Sequence, residues 1–496
     1  MVTLAIGIYI IINTVLVTKD GDFYIGQARK IGDDLADVAR NHPPGYPLLI
    51  FLVHRFVALF SNNPSVYLWI YSGQFAALLC RLASLIPLYF TGKFLVGPKN
   101  SFWAVFILII LPEPAHFGSD ILREWPHILF LATALFFLLW GAKKSKWWMF
   151  AIVGLIASLG QIIRPECAQV LIYAFLWLII SLFRTKRTMS KAKILCALVV
   201  LLTAFVLPAI PYMIKSERCL PTKAHEVIHS LTARFSSSQT PEISSPDPER
   251  RASDFFSGVA TALADLADGI CKNLRYFFLP ALLLGFYHCF TRSSTTTDPE
   301  KIILPAFILF NIIIMALLHY YYGYISTRHC LPLVVFTSFY IPTGLRIIAD
   351  WLNSRFPGLL RYGRWNSDRW ALVLLVLGIA VCMPKLLSPL RSDKLGYRHA
   401  AKWLNENTGS GDIIATPDVR ITLYAERKAF PYEKQTYPPP SAATYLVTIV
   451  KGSNEQPPSV PGLEMRAWFW SEKNCHKKKI IIHQQKQSQQ EPSASS

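Results

Sequence analysis

Long apolar runs separated by short polar connectors fill the first 390 residues of the chain. The segments 101–112 (SFWAVFILIILP) and 194–214 (ILCALVVLLTAFVLPAIPYMI) carry no charged residue at all. Apolar stretches of about 20 residues match the thickness of a bilayer's hydrocarbon core, so such runs predict membrane spans. Candidate spans are 2–17, 66–92, 101–112, 125–141, 147–163, 167–183, 194–214, 276–290, 302–319, 330–346 and 370–388, about eleven in all. The first lacks a basic leading region and a small-residue cleavage site, and it reads as an uncleaved first span. The stretch 46–60 is apolar but interrupted by His54-Arg55, which predicts a helix lying in the interface.

Between these segments, 23–39 places Phe23, Ile25, Ala28, Ile31, Leu35 and Val38 at helical spacing with charge opposite, predicting an amphipathic interfacial helix. After residue 390 the pattern changes. GYRHAAKWLNENTGSGD reads as a helix ended by a Gly-rich turn, and DIIATP and ATYLVTIV read as strands. The predicted organisation is therefore an α-helical polytopic membrane domain over 1–390, a small α/β extracytoplasmic domain over 391–470, and a low-complexity, disordered tail over 471–496. The middle of the 215–275 loop, rich in Ser and Pro, is expected to be flexible.

Composition sharpens this assignment. Only 16% of residues are charged, against roughly 25% in a soluble domain. The net charge is +19, which fits either nucleic acid or an anionic membrane surface. The basic residues crowd into the short connectors 142–146 (AKKSK) and 184–193 (RTKRTMSKAK), with Arg355, Arg361, Arg364 and Arg369 in 347–369. All three fall on one side if the spans alternate, as the positive-inside rule requires, so no nucleic-acid partner is expected. The nine cysteines show no CxxC pair, which argues against a metal site or a disulfide framework. Cys219 and Cys271 flank one loop, either as a pair or as two free thiols.

On the opposite face lie the residues able to do chemistry. Asp20 and Asp22 follow the first span, where a partly dehydrated carboxylate can act as a general base or simply end the helix. His42 sits in a stiff HPPGYP turn. Asp120, Arg123 and Glu124 share a second connector, with the two acids expected four apart on one helix face, or paired with Arg123 as a cap. Arg164 and Arg328 stand at further span ends, suited to bidentate phosphate binding or to snorkelling. Four connectors thus bring acids and cations to one face.

These patches resemble the GT-C glycosyltransferases, closest to the protein O-mannosyltransferase and aminoarabinose transferase branch. The resemblance is carried by D-G-x-x-Y-x-x-x-A (Asp20, Gly21, Tyr24, Ala28), H-P-P-x-Y-P (His42 to Pro47), D-x-x-x-E (Asp120, Glu124) and R-H-x-L-P (Arg328 to Pro332). His42 stands where many members carry lysine, and His329 where they carry an aromatic residue. The resemblance implies inverting transfer of a sugar from a polyprenyl-phosphate donor to a lipid, protein or glycan acceptor. The setting implied is the extracytoplasmic face of a bacterial inner membrane. Asp20 would be the base, with Asp22 as alternative and Asp120 or Glu124 as the second acid. His42, Arg123, Arg164 and Arg328 would hold the donor phosphate, and Tyr24 and Tyr46 would line the substrate site. No cofactor or metal is implied, although a divalent cation stays open. A transporter or flippase of lipid-linked substrates is the competing expectation. No Rossmann fingerprint or P-loop points to a soluble nucleotide-sugar donor.

Overall fold

The protein is described by a computed structural model covering residues 1–61, 65–184, 189–216, 248–291, 299–355, 366–432, 443–451, 462–472 and 478–485. Among the described residues, seven helices are long and apolar enough to cross a membrane: Val66–Val96, Glu124–Lys144, Pro165–Phe183, Lys191–Ser216, Glu300–Tyr320, Leu331–Arg355 and Ser367–Leu386. The other four predicted spans form shorter apolar helices, Val2–Ile12, Pro98–Ile110, Met149–Ile163 and Leu279–Thr291. At 1.5 Å per residue, helices of 11 to 15 residues reach only about 17–23 Å. The first of them, α1 (Val2–Ile12), stops where the Asn13 amide donates to the Tyr9 carbonyl instead of continuing to residue 17.

The predicted interfacial helix over 23–39 is two helices, α2 (Lys19–Ile31) and α3 (Leu35–Asn41). Gly32 ends the first, and the Asp34 carboxylate starts the second by accepting from the Asp37 amide at 3.0 Å. Ile25, Ala28 and Ile31 are buried as their spacing predicts, whereas Phe23 is exposed. The apolar stretch around 46–60 forms α4 (Gly45–Ala58), which lies against α2 and against α5 (Val66–Val96).

Close packing of the spans relies on small residues. A methyl group added at Gly344 would lie 1.7 Å from the Ala281 carbonyl oxygen, and one at Gly285 only 1.9 Å from that of Tyr340. The helices Leu279–Thr291 and Ile341–Arg355 therefore touch backbone to backbone.

The C-terminal part pairs a helix, Leu395–Asn407, with a five-stranded sheet of order β2-β1-β3-β5-β4. Its strands are β1 (Ile413–Thr416), β2 (Lys428–Pro431), β3 (Tyr445–Lys451), β4 (Leu463–Trp470) and β5 (Lys478–Gln485). β1 runs parallel to β2 and β3, while β5 is antiparallel to both of its neighbours. The strand β5 corrects the expectation of a disordered 471–496 tail. Ile480, Ile481 and Ile482 are fully buried there, and pairing on both edges holds a segment whose flanks look low-complexity. Residues 486–496 lie outside the described residues, as do Cys219 and most of the 236–253 segment expected to be flexible. Residues 248–253 of that segment belong to the helix Pro248–Asn273.

One apolar cluster joins the two parts of the chain. Leu16, Val17, Ile25 and Tyr46 of the N-terminal region pack with Tyr397, Ala400, Ile414, Tyr424 and Ile480 of the C-terminal region. The sheet domain is thus seated on the first connector.

Candidate active site

The connector between α1 and α5 carries the first acids, and α2 gives them opposite directions. Asp20 and Asp22 both occupy its first turn, where the helix dipole favours negative charge. Two positions along a helix amount to a rotation of about 200°, so the two carboxylates face opposite ways.

Asp20 points to a line of alternating charges drawn from distant segments. Its carboxylate forms an ion pair with Arg328 Nη1. Arg328 Nε lies 3.9 Å from Glu124 Oε1, the same oxygen lies 3.8 Å from Arg164 Nη1, and Arg164 Nε is 3.1 Å from Glu166 Oε1. Side-chain exposure drops from 40% at Asp20 and 28% at Arg328 to 5% at Glu124 and 7% at Arg164, and rises again to 32% at Glu166. The middle of the line is therefore a buried floor between two more open ends. Burial works against the charge on Arg328, but Glu124 and Asp20 outweigh it and raise its pKa.

Tyr24, one turn along α2 from Asp20, packs edge-on against Tyr46 with ring centroids 4.9 Å apart. Burial raises the Tyr24 pKa, with Arg123 opposing and Glu124 and Asp20 adding to the rise. Several polar atoms on this floor are buried and make no hydrogen bond among the described residues: Tyr46 Oη, Glu124 Oε2 and both ring nitrogens of His127. Buried polar atoms are ordinarily bonded, so an orphaned group next to an ion-pair line marks a place for a ligand or water. Arg123 heads the Glu124–Lys144 helix, half-buried, with no side-chain hydrogen bond or ion pair among the described residues. His42 is exposed at the end of α3, with its ring 4.8 Å from that of Phe23.

Asp120 departs from the expected pattern. It lies in a bend ahead of the helix, so it does not share a helix face with Glu124, and its partner is not Arg123. Its carboxylate, 1% exposed, takes hydrogen bonds from the Ile121 and Thr18 amides and from Arg391 Nη2 at 2.5 Å. These three bonds tie the first connector, the second and the start of the C-terminal part together. Asp22 is also separate from the charge line. Its carboxyl is pushed up to about 6, chiefly by burial, with Arg29 pulling it back and Asp418 adding to the rise.

The residues just before α2 are gripped from the far end of the chain. Arg391 Nη1 donates to the Leu16 carbonyl at 2.9 Å and Arg420 Nη1 to the Val17 carbonyl at 3.0 Å, while the Val17 amide donates to Tyr424 Oη at 3.2 Å. Arg420 is itself held by Asp418 through bonds of 2.8 and 2.6 Å. Burial opposes ionisation of Asp418, yet the Arg420 hydrogen bonds and charge keep its pKa below the usual carboxylate range. Sequence reasoning missed Arg391, Arg420 and Tyr424, since no local signal ties them to residues nearly 400 positions away. It also passed over His127, which the spacing Glu124-x-x-His127 on one helix could have flagged. Among the described residues, no group of three His, Cys, Asp or Glu side chains is arranged to hold a metal ion.

Comparison with known proteins agrees with this architecture. Residues 41–212 match the family model described as dolichyl-phosphate-mannose-protein mannosyltransferase. ArnT from Cupriavidus metallidurans in the apo state superposes with a TM-score of 0.55 at 11% identity, over 97% of this chain and 96% of that one. The fold is that of the GT-C glycosyltransferases. The same ArnT bound to undecaprenyl phosphate matches equally, with a TM-score of 0.55 at 10% identity and the same coverage. The archaeal oligosaccharyltransferase AglB from Archaeoglobus fulgidus, in complex with an inhibitory peptide and a dolichol-phosphate, matches with a TM-score of 0.50 at 13% identity. That alignment covers 86% of this chain, which spans only 63% of AglB. Compared by sequence with curated proteins, the chain has no match. The family-model match takes in Glu124 and Arg164, while Asp20 and Arg328 lie outside it.

Proposed function

We propose that this protein transfers a sugar, with inversion, from a polyprenyl-phosphate donor to an acceptor hydroxyl or amide on the extracytoplasmic side of a bacterial inner membrane. The observation that carries the reading is the meeting of Asp20, Arg328, Glu124 and Arg164, from four separate segments, beside the unpaired cation of Arg123. Two solved structures of this fold, ArnT bound to undecaprenyl phosphate and AglB in complex with a dolichol-phosphate, support a lipid phosphate as the donor's anchor.

The chemistry follows from the charges. The acceptor oxygen or nitrogen attacks the anomeric carbon as the bond from that carbon to the phosphate oxygen breaks. Asp20 takes the acceptor's proton, and the polyprenyl phosphate leaves with an added negative charge. Arg123 and Arg328 stabilise that charge as it develops. Arg328 is the partner of Asp20, so a donor phosphate that draws Arg328 to itself releases the base. Glu124 and Glu166, acting through Arg164, hold the cationic floor in place.

A transporter of lipid-linked substrates would place its ionisable groups near the bilayer midplane. Here Asp20, Glu124, Arg164 and Arg328 stand at helix starts and in connectors, which favours surface chemistry. The test is purified protein in lipid nanodiscs with undecaprenyl phosphate and a series of undecaprenyl-phosphate sugars. Asp20→Asn is expected to retain undecaprenyl phosphate binding and lose at least 100-fold in transfer, whereas Arg328→Gln loses binding. Unchanged transfer by Asp20→Asn would remove it as the base, and absence of undecaprenyl phosphate binding by the wild type would end the reading altogether.

A further inference from the structure

Behind α2, on the side away from the charge line, lies a cavity of about 810 Å³. One wall is built by α2, α4 and the start of α5, with Asp22, Arg29, His54 and Trp69, and the other by Val419–Ala429 of the C-terminal domain, with Glu426 and Lys428. The volume falls within the range that holds small organic ligands, roughly 300–1,000 Å³.

The pairing of its charged groups separates wall from site. Arg427 gives its nitrogens to Thr408 and to the carbonyls of Asn405, Ala425 and Glu426, and Glu426 accepts from the Val66 amide at 3.0 Å. Glu426 thereby ties the two walls together, while Arg427 braces its own wall. Asp22, Arg29 and Lys428 make no hydrogen bond or ion pair among the described residues. Arg29 lies over the Trp69 ring at 5.6 Å, His54 stacks on Trp69 at 3.5 Å, and the buried His54 Nδ1 has no partner. A half-buried carboxylate and an orphaned imidazole nitrogen are costly to leave unpartnered, and the exposed Arg29 and Lys428 add two cations beside them. A bound partner offering both donors and an anion repays that cost.

We propose that this cavity is the acceptor's remote subsite and that it takes an acidic carbohydrate, the proposal resting on the glycosyltransferase reading above. Asp22 and His54 meet sugar hydroxyls, together with the hydroxyls of Ser61, Ser65 and Ser410 on the cavity lining. Arg29 and Lys428 take the sugar's carboxylate or phosphate group. An acyl chain would leave Asp22 and the His54 nitrogen without partners, which disfavours a lipid tail. The raised Asp22 pKa agrees with a group awaiting a hydroxyl donor. An acceptor that reaches around α2 from this cavity to Asp20 gains binding energy from a part away from its reacting atom. Both halves of the chain line the cavity, so its complete form needs the C-terminal domain seated on the first connector.

The test is saturation-transfer NMR on the full chain in nanodiscs, with a uronic-acid disaccharide as probe, a neutral disaccharide and an acidic pentapeptide as comparators, and undecaprenyl phosphate binding measured in parallel. The uronic-acid disaccharide is expected to bind at least fivefold more tightly than either comparator. Lys428→Gln, at an exposed position, is expected to weaken it at least threefold, and Arg29→Gln with Lys428→Gln at least tenfold, with undecaprenyl phosphate binding unchanged in both. Absence of disaccharide binding, equal binding by the double variant, or equal binding of the peptide overturns the assignment. If the disaccharide fails while undecaprenyl phosphate still binds, the cavity assignment falls and the donor reading stands.

Discussion

Replacing Arg420 by Gln tests whether the C-terminal domain holds Asp20, the proposed base, in position. Arg420 and Asp418 are 2% and 5% exposed, and Arg420 also donates to the Val17 carbonyl, three residues before Asp20. Removing the guanidinium strands a buried carboxylate and leaves that carbonyl without its donor. Breaking one member of a buried ion pair costs about 3–5 kcal/mol, most of it the penalty of the uncompensated charge. Adding Asp418→Asn removes that charge and should return about 2 kcal/mol, because a neutral amide costs far less to bury. The thermal midpoint of the detergent-solubilised chain, read by size-exclusion of a fluorescent fusion, should therefore rank wild type above the double variant and the double variant above Arg420→Gln. The pH dependence follows from the lowered Asp418 pKa. A carboxylate held below its ordinary value of 3.8 stabilises the fold above that value, and the contribution disappears as pH falls through the folded pKa. The gap between wild type and Arg420→Gln should accordingly narrow below about pH 4. Transfer by Arg420→Gln should drop at least tenfold with undecaprenyl phosphate binding retained, since Val17 loses its hold and Asp20 its aim. A double variant no more stable than the single one would refute the stranded-charge argument.

Two further predictions concern separate parts of the molecule. Burial raises the Asp22 carboxyl from 3.8 to about 6, so ionising it costs the folded state increasingly between about pH 4 and pH 6. Asp22→Asn should raise the thermal midpoint at pH 7.5 and make no difference at pH 4, and equal shifts at both pH values would contradict the cause given. Gly344→Ala forces a methyl group onto the Ala281 carbonyl at 1.7 Å, where backbone meets backbone and neither side can yield. It should abolish the monodisperse purified species, at a cost beyond about 3 kcal/mol, whereas Gly258→Ala, with nothing within 4 Å of the added methyl, should leave it unchanged or slightly stabilised.

The long spans and the strands β1 and β3 were legible from hydropathy and local pattern, as was the buried face of α2 at Ile25, Ala28 and Ile31. The acids and cations of the first, second and later connectors were legible as candidates, because charge at a span end stands out against an apolar background. Their division of labour was not. Asp120 looked equivalent to Glu124, yet Arg391, 271 positions away, makes it a fastener. Asp20 and Asp22 looked interchangeable until α2 turned one to Arg328, 308 positions away, and the other to the cavity beneath the sheet domain.

The sequence by itself determined where the chain is apolar enough to enter a membrane, because transfer free energy sums over neighbouring residues and needs no partner. Four of those segments nonetheless form helices of only 11 to 15 residues, and a strand arose from a stretch that resembled a tail, because helix ends and strand edges are fixed by what packs or pairs against them. Which carboxylate joins the charge line, and which takes the amides of its own connector and Arg391, was decided only by the tertiary structure. Ion pairing depends on separations of a few ångströms, and only folding brings residues hundreds of positions apart that close.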